Sequence, residues 1–325
     1  MRRFSALLLV AASACVVKLD HEFDAPPEST PGDTPVASGC RVLPGVALTG
    51  DLRSIASDVT VDFLDDRGNG YAAAAPRADC GWNTRALGKI VAASPIRADA
   101  IVSPLDLVRS DSGVALYYAV YVPDSSAAFG VRSIGVGVAL GPDGGPFAPT
   151  SELLWSADRA TYGTSALREG DRVYAYGCFD TAPLVVDCYV ARAPASSLAN
   201  AAAYEYFDGA AWSTNPDDAR SIAKAGTSIS VRRDGDRFVM TFVPPLGRTI
   251  QARTAIAPEG PWSSPSTLAT CDLSGAGADA FCGGATQHAI AGLAPHAIAL
   301  TYSARSFAGA RGEAFAPRLV VLPVP

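Results

Sequence analysis

Gly226-Thr-Ser-Ile-Ser-Val-Arg-Arg-Asp-Gly-Asp-Arg-Phe-Val-Met-Thr-Phe242 is one copy of a segment that recurs along the chain after position 100. Each copy runs from a small polar residue through apolar alternation and a turn into an aromatic-rich strand. The other copies are Ser103–Tyr118, Gly163–Tyr176 and Thr286–Tyr302, and the closing aromatics Tyr118, Tyr176, Phe242 and Tyr302 stand 58, 66 and 60 residues apart. A period of that size built from strand-like pieces predicts an all-β fold, a five-bladed β-propeller of four-stranded antiparallel blades. In blade 1, Asp58-Val-Thr-Val-Asp-Phe-Leu64 alternates as a strand, Asp65–Gly70 is a turn and Thr84–Ala92 the next strand. Blades 2 to 4 cover roughly 98–152, 160–215 and 222–271, and blade 5 runs from Cys282 to the end, with Arg318–Leu322 as its last strand. Circular closure hides the sheet edges, usually with strands from both termini sharing one blade.

Composition narrows the partners. The 325 residues carry a net charge of −6 with no basic cluster, and nucleic acid needs a concentrated cationic face. Only 18% of residues are charged, and 30 Gly and 24 Pro favour turns over long helices.

The N-terminus reads as a targeting segment: Arg2 and Arg3, then the apolar run Phe4–Ala11, then Ala12-Ser-Ala-Cys15. Residues 1–15 form a signal peptide in which Cys15 is a lipobox-like lipidation site; ordinary cleavage after Ala14 is the other reading. Residues 16–39, rich in Pro and acid, read as a disordered tether, and the propeller domain as 40–325. With Cys15 set aside, six cysteines remain, which in an exported protein pair as disulfides. Cys178 and Cys188 flank a hairpin, Cys271 and Cys282 bracket a Gly/Ala/Asp loop, and Cys40–Cys80 follow by elimination. A zinc site from Cys271, Cys282 and His288 is the functional alternative, although the spacing fits no familiar zinc pattern.

Blade ends read Gly141-Pro-Asp-Gly-Gly-Pro-Phe147 and Ala257-Pro-Glu-Gly-Pro-Trp262, and blade 3 closes with Tyr189-Val-Ala-Arg-Ala-Pro194, Leu198 and Tyr204-Glu-Tyr-Phe-Asp-Gly-Ala-Ala-Trp212. This pattern, over about residues 98–325, resembles a family of bacterial exported domains of unknown function. That family looks related to the five-bladed propellers of the glycoside hydrolase clan of arabinanases, levansucrases and invertases. The resemblance implies carboxylates converging on a funnel at the propeller axis, one acting as base or nucleophile and one as acid. The acids nearest the axis of blade 2 are Asp99 and Asp106, the candidate catalytic residues. Blade 3 has Ser165 where the resemblance places an acid, and the clan's His-Pro-Glu stretch is approximated only by His288-Ala-Ile.

The funnel is expected to expose Ser103, Thr164, Ser165, Thr227, Ser228, Gln287 and His288, of which all but Ser103 are the candidate ligand-binding residues. His288 reads either as a ligand contact or as a hydrogen-bonded interior histidine. Phe147, Trp212 and Trp262 read as inter-blade packing or as sugar platforms. Arg192, Arg253 and Arg305 read as partners of a neighbouring blade's carboxylate or as clamps on acidic sugars. Asp65-Asp66 with Asn69 is a plain acidic turn or a calcium loop. His296 reads as a solvated turn residue. No cofactor and no metal are expected. The expected partners are carbohydrate or another envelope polymer, and a membrane reached only through a lipid anchor; the chain reads as a monomer. The sequence therefore points to a lipid-anchored envelope protein that binds carbohydrate without catalysis. An active glycoside hydrolase with relocated carboxylates and a protein-interaction scaffold are the alternatives. A secreted soluble chain is the alternative location.

Overall fold

The computed structural model describes residues 34, 36–37, 39–41, 52–56, 60–65, 67–74, 83–127, 130–226, 228–290, 293–306 and 317–324. They build five antiparallel blades closed into a β-propeller. From the axis outward, blade 1 is Arg53–Ala56, Thr60–Leu64, Asn69–Ala74 and Asn83–Lys89. Blade 2 is Ile101–Ser110, Gly113–Pro123, Val131–Gly141 and Trp155–Ser156. Blade 3 is Ser165–Glu169, Arg172–Ala182, Val185–Pro194 and Glu205–Phe207, extended by Trp212–Ser213 and Ala223–Lys224. Blade 4 is Ile229–Asp234, Arg237–Phe242, Thr249–Ala255 and Ser266–Cys271.

Blade 5 is Phe281–His288, Ala297–Arg305 and Arg318–Pro323, completed by Cys40–Arg41 as its outermost strand. Strands from both chain ends thus share a blade, the closure expected from the sequence. Val36–Ala37, inside the stretch read as tether, adds a parallel strand to the outer edge of blade 4. In blade 1 the sequence reading lacked both the innermost strand and Asn69–Ala74. Both are short segments of mixed polarity that carry little alternation.

The core explains why the second strand of each repeat is so apolar. A blade is packed between two neighbours, so its middle strands bury both faces, and successive side chains point to opposite sides. In Gly113–Pro123, Ala115, Tyr117 and Ala119 enter the cluster shared with blade 3, while Leu116, Tyr118 and Val120 enter the one shared with blade 1. Val173 and Ala175 face blade 2, and Tyr174 and Tyr176 face blade 4. Val239 faces blade 5, while Phe238, Met240 and Phe242 face blade 3. Leu52 and Phe63 of blade 1 meet Ala299 and Leu319 of blade 5, which closes the circle.

The periodic aromatics Tyr118, Tyr176, Phe242 and Tyr302 are all buried. Buried phenols need partners: the Tyr118 hydroxyl accepts from the Thr150 amide at 2.9 Å, and that of Tyr176 donates to the Pro258 carbonyl at 2.9 Å. Two-residue turns join the first two strands of blades 3 and 4, with Gly170 (φ 61°) and Gly235 (φ 64°) in the left-handed region that glycine tolerates.

The disulfides Cys178–Cys188 and Cys271–Cys282 are formed. The first links directly opposed positions of the blade 3 hairpin, and the second joins the fourth strand of blade 4, Ser266–Cys271, to the innermost strand of blade 5. Such bonds belong to an exported protein. Cys15, His21 and Cys80 lie outside the described residues, and with them the lipidation site and the third disulfide. No helix among the described residues is long and apolar enough to cross a membrane.

Candidate functional site: a cavity at the propeller axis

Two layers of polar residues occupy the axis. The inner layer is a ring of side-chain hydrogen bonds that ties each blade to the next. Asp106 of blade 2 accepts from the Ala166 amide of blade 3 at 2.8 Å. Ser165 of blade 3 accepts from the Val231 amide of blade 4 at 2.9 Å. Ser230 of blade 4 accepts from the Gln287 amide of blade 5 at 3.1 Å, and Gln287 Nε2 donates to the Ser230 carbonyl at 2.8 Å. His288 Nδ1 meets Ser54 Oγ of blade 1 at 2.7 Å. Arg53 of blade 1 donates to Thr286 Oγ1 at 2.6 Å and to the Leu105 carbonyl of blade 2.

Two β-bulges aim these groups. The pairing of Ile101–Ser110 shifts between Pro104 and Asp106, where proline has no N–H to give the ladder. The pairing of Phe281–His288 shifts between Gly283 and Thr286. Each bulge stands directly before a residue of the ring.

Asp106, a candidate acid, is therefore committed. It is 1% exposed, and Arg232 Nη2 lies 3.1 Å from both its carboxylate oxygens. Its Oδ1 also accepts from the Leu107 amide at 2.9 Å. Asp99, the other candidate, lies outside the cavity and is exposed. Its carboxylate pairs with Arg97 at 2.7 Å, and that hydrogen bond holds it below the usual carboxylate range. His288 is buried, with Nε2 2.7 Å from Thr301 Oγ1. Burial, reinforced by the Arg232 and Arg53 charges, lowers its pKa to about 3, so the ring is neutral at physiological pH.

The outer layer is an open cavity of about 510 Å³ at the N-terminal ends of the innermost strands. Every blade contributes. Arg53 comes from blade 1, Ser103, Leu105 and Tyr121 from blade 2, Thr164, Phe179 and Asp180 from blade 3, Ser228 from blade 4 and Arg305 from blade 5. Arg159, on the connection between blades 2 and 3, completes the wall. Of the residues expected to face the funnel, the structure brings Ser103, Thr164 and Ser228 to this cavity. Ser165, Gln287 and His288 are used in the ring, and Thr227 lies outside the described residues. Asp180 is the sole carboxylate lining the cavity among the described residues.

Sequence reasoning missed Arg53, Arg159, Phe179 and Asp180. Phe179, 39% exposed, sits beyond Cys178 where the hairpin leaves the core, and its exposure breaks an otherwise apolar alternation. Phe179's exposure is visible only in the fold, and nothing local marks Arg159 either.

The remaining candidates have structural settings. Phe147 is buried between blades 1 and 2, and Trp212 and Trp262 pack against the cluster between blades 3 and 4. Arg192 stacks on Trp212 at 4.0 Å and pairs with Glu205 of its own blade at 2.9 Å, not with a neighbouring blade as expected. The two residues face each other across adjacent strands of blade 3, which shortens the reach. Arg253 donates to the Ser263 and Lys224 carbonyls at 2.5 and 3.0 Å. Asp65 accepts from the Arg67 and Asn69 amides and from Asn69 Nδ2, closing its turn on itself. His296 is exposed and meets Asp234 at 3.1 Å. Cys271 and Cys282 are bonded to each other rather than to zinc, and no cluster with metal-ligand character occurs among the described residues.

Known structures share this architecture. The GH43_1 enzyme from Xanthomonas citri complexed with xylose aligns with a TM-score of 0.58 at 15% identity, covering 89% of this chain and 91% of that one. Its complex with xylotriose gives 0.57 at 16%, covering 89% and 90%. RS223-Beta-xylosidase gives 0.56 at 12%, covering 88% and 98%. Likeness at such identities establishes the fold alone. No curated protein matches the sequence. Residues 147–296, from the end of blade 2 into blade 5, match the family described as "Domain of unknown function (DUF4185)", so the resemblance read from the sequence holds: a DUF4185 match carried on the five-bladed β-propeller of GH43 enzymes.

Proposed function

We propose that this protein binds carbohydrate in the axial cavity without cleaving it, while attached to a membrane surface of the cell envelope through lipidated Cys15. The observation that carries the reading is the set of acids. Glycoside hydrolysis by the usual routes needs two carboxyl groups, about 5–9.5 Å apart, flanking the bond. The described cavity lining offers Asp180 alone. Asp106 is held by a guanidinium and two amides, and Asp99 stands outside.

Binding fits the rest of the wall. The cavity volume lies within the range of ligand sites. It combines hydroxyls (Ser103, Thr164, Ser228) with the aromatic faces of Tyr121 and Phe179, the mixture that sugar rings require. Neighbours of the same fold are described in complex with xylose and xylotriose.

The test is a panel of envelope and plant polysaccharides incubated with the full-length chain, scored both for binding and for release of reducing ends. Binding without release supports the reading. Release of sugar that persists in both Asp99→Asn and Asp106→Asn would replace it with a hydrolase using other acids. Intact-mass analysis of the membrane fraction tests the anchor: a diacylglyceryl adduct on Cys15 is expected, and unmodified chain in the soluble fraction would remove that part.

A further inference from the structure

We infer that the axial cavity selects acidic saccharides, sugars bearing a carboxylate, over neutral ones; this rests on the carbohydrate-binding reading above and names its ligand class. The chain as a whole is acidic, at −6. Its axial cavity has the opposite character. Among the described residues, three arginines, Arg53, Arg159 and Arg305, line it against the single carboxylate of Asp180. They arrive from blade 1, the connection between blades 2 and 3, and blade 5.

Arg53 and Arg159 are also engaged in the protein. Arg53 donates to the Leu105 and Leu52 carbonyls and to Thr286, and Arg159 pairs with Asp217 at 2.5 Å. Such engagement fixes the planar groups in place. A guanidinium carries five N–H donors, so the Asp217 contact, made through one terminal nitrogen, leaves donors of Arg159 for a ligand. Low-entropy, prepositioned guanidinium forks suit the paired oxygens of a carboxylate. Phe179, exposed beside Asp180, offers the apolar face on which the ring of the same sugar stacks. Within an otherwise acidic protein, a cation-lined cavity favours a uronate over its neutral counterpart both by attraction at the site and by faster encounter.

The experiment titrates the full-length chain, by calorimetry, with tetramers of galacturonate, mannuronate and a glucuronate-containing glycan. Each is paired with its methyl ester, which keeps the shape and removes the charge; xylotetraose serves as a neutral control. The expected result is at least one acid bound roughly tenfold or more tighter than its ester, the size of a charge-assisted hydrogen bond. That preference should shrink in Arg159→Gln and Arg305→Gln, and raising salt should weaken only the acids. Equal or tighter binding of the esters or of xylotetraose overturns the acidic preference and leaves carbohydrate binding standing. Binding of no member, acid or neutral, overturns both. The acid-to-ester comparison needs no variant, so a folding defect in either substitution does not blunt it.

Discussion

Thr164 and Ser165 are neighbours in the chain and differ by one rotation of the strand, yet they belong to different regions. Thr164 lines the open cavity, with its hydroxyl turned back to the Thr161 carbonyl at 2.7 Å. Ser165 is fully buried and holds the blade 4 backbone through the Val231 amide. The same division separates Ser228 at the mouth from Ser230 in the ring, and Leu105 from Asp106. The teaching is that polar residues at a propeller axis serve closure first. Five innermost strands converge without pairing with one another, so their buried backbone amides must be satisfied by side chains of the next blade. Only the positions toward the N-terminal ends of those strands are left facing the open cavity.

The contrast can be broken most severely at Asp106. Asp106→Ala leaves Arg232 Nη2 and the Ala166 amide without their acceptor, and losing one partner of a buried pair costs about 3–5 kcal/mol. Chemical denaturation should show that loss, while a cavity substitution such as Thr164→Val should cost far less; equal losses would erase the distinction between ring and mouth.

Next in size is the disulfide beneath Phe179 and Asp180. Replacing Cys178 and Cys188 together by Ser reopens a loop with a sequence separation of 10, worth about 2–3 kcal/mol in the unfolded-chain estimate. The added expectation is weaker ligand binding, because Cys178 itself borders the cavity. Unchanged affinity would place the disulfide outside the site's support.

His288 gives the contrast a pH signature. Its folded pKa, about 3, lies below the ordinary 6.5, so the unfolded chain takes up a proton below about 6.5 that the folded ring refuses. The stability associated with the neutral ring is therefore full above that pH and lost as pH falls, at about 1.4 kcal/mol per pH unit. The difference in unfolding free energy between wild type and His288→Gln, followed from pH 7 to 5 (roughly the onset of His titration), isolates this contribution from the carboxylates. A difference that stays flat with pH would mean that the folded ring takes up its proton over the same pH range as the unfolded one.

The smallest expected effect is at Asp99. Its pair with Arg97 is exposed on both sides, where solvent screening leaves an ion pair little net effect on stability. Asp99→Asn should leave both stability and ligand binding near wild type; a large loss of binding would bring this acid into the site.

The all-β propeller was legible in the residues alone, because a packed blade writes its alternation into local sequence: Leu116-Tyr-Tyr118 and Tyr174-Ala-Tyr176 can bury both faces only between two neighbours. The Cys178–Cys188 pairing was legible for the same reason, since opposition in a hairpin is a local property. So was the axis, to within a residue or two, at Ser103, Thr164 and Ser228. Which polar residue faces the axial cavity and which faces the next blade was left to the tertiary structure. That choice turns on the bulges at Pro104 and after Gly283, which shift a side chain by one position, and on partners 60 or more residues away, as with Asp106 and Ala166. Arg53, Arg159 and Arg305 converge on one cavity from distant parts of the chain. No local pattern records that meeting, because circular closure alone brings the first and last blades together.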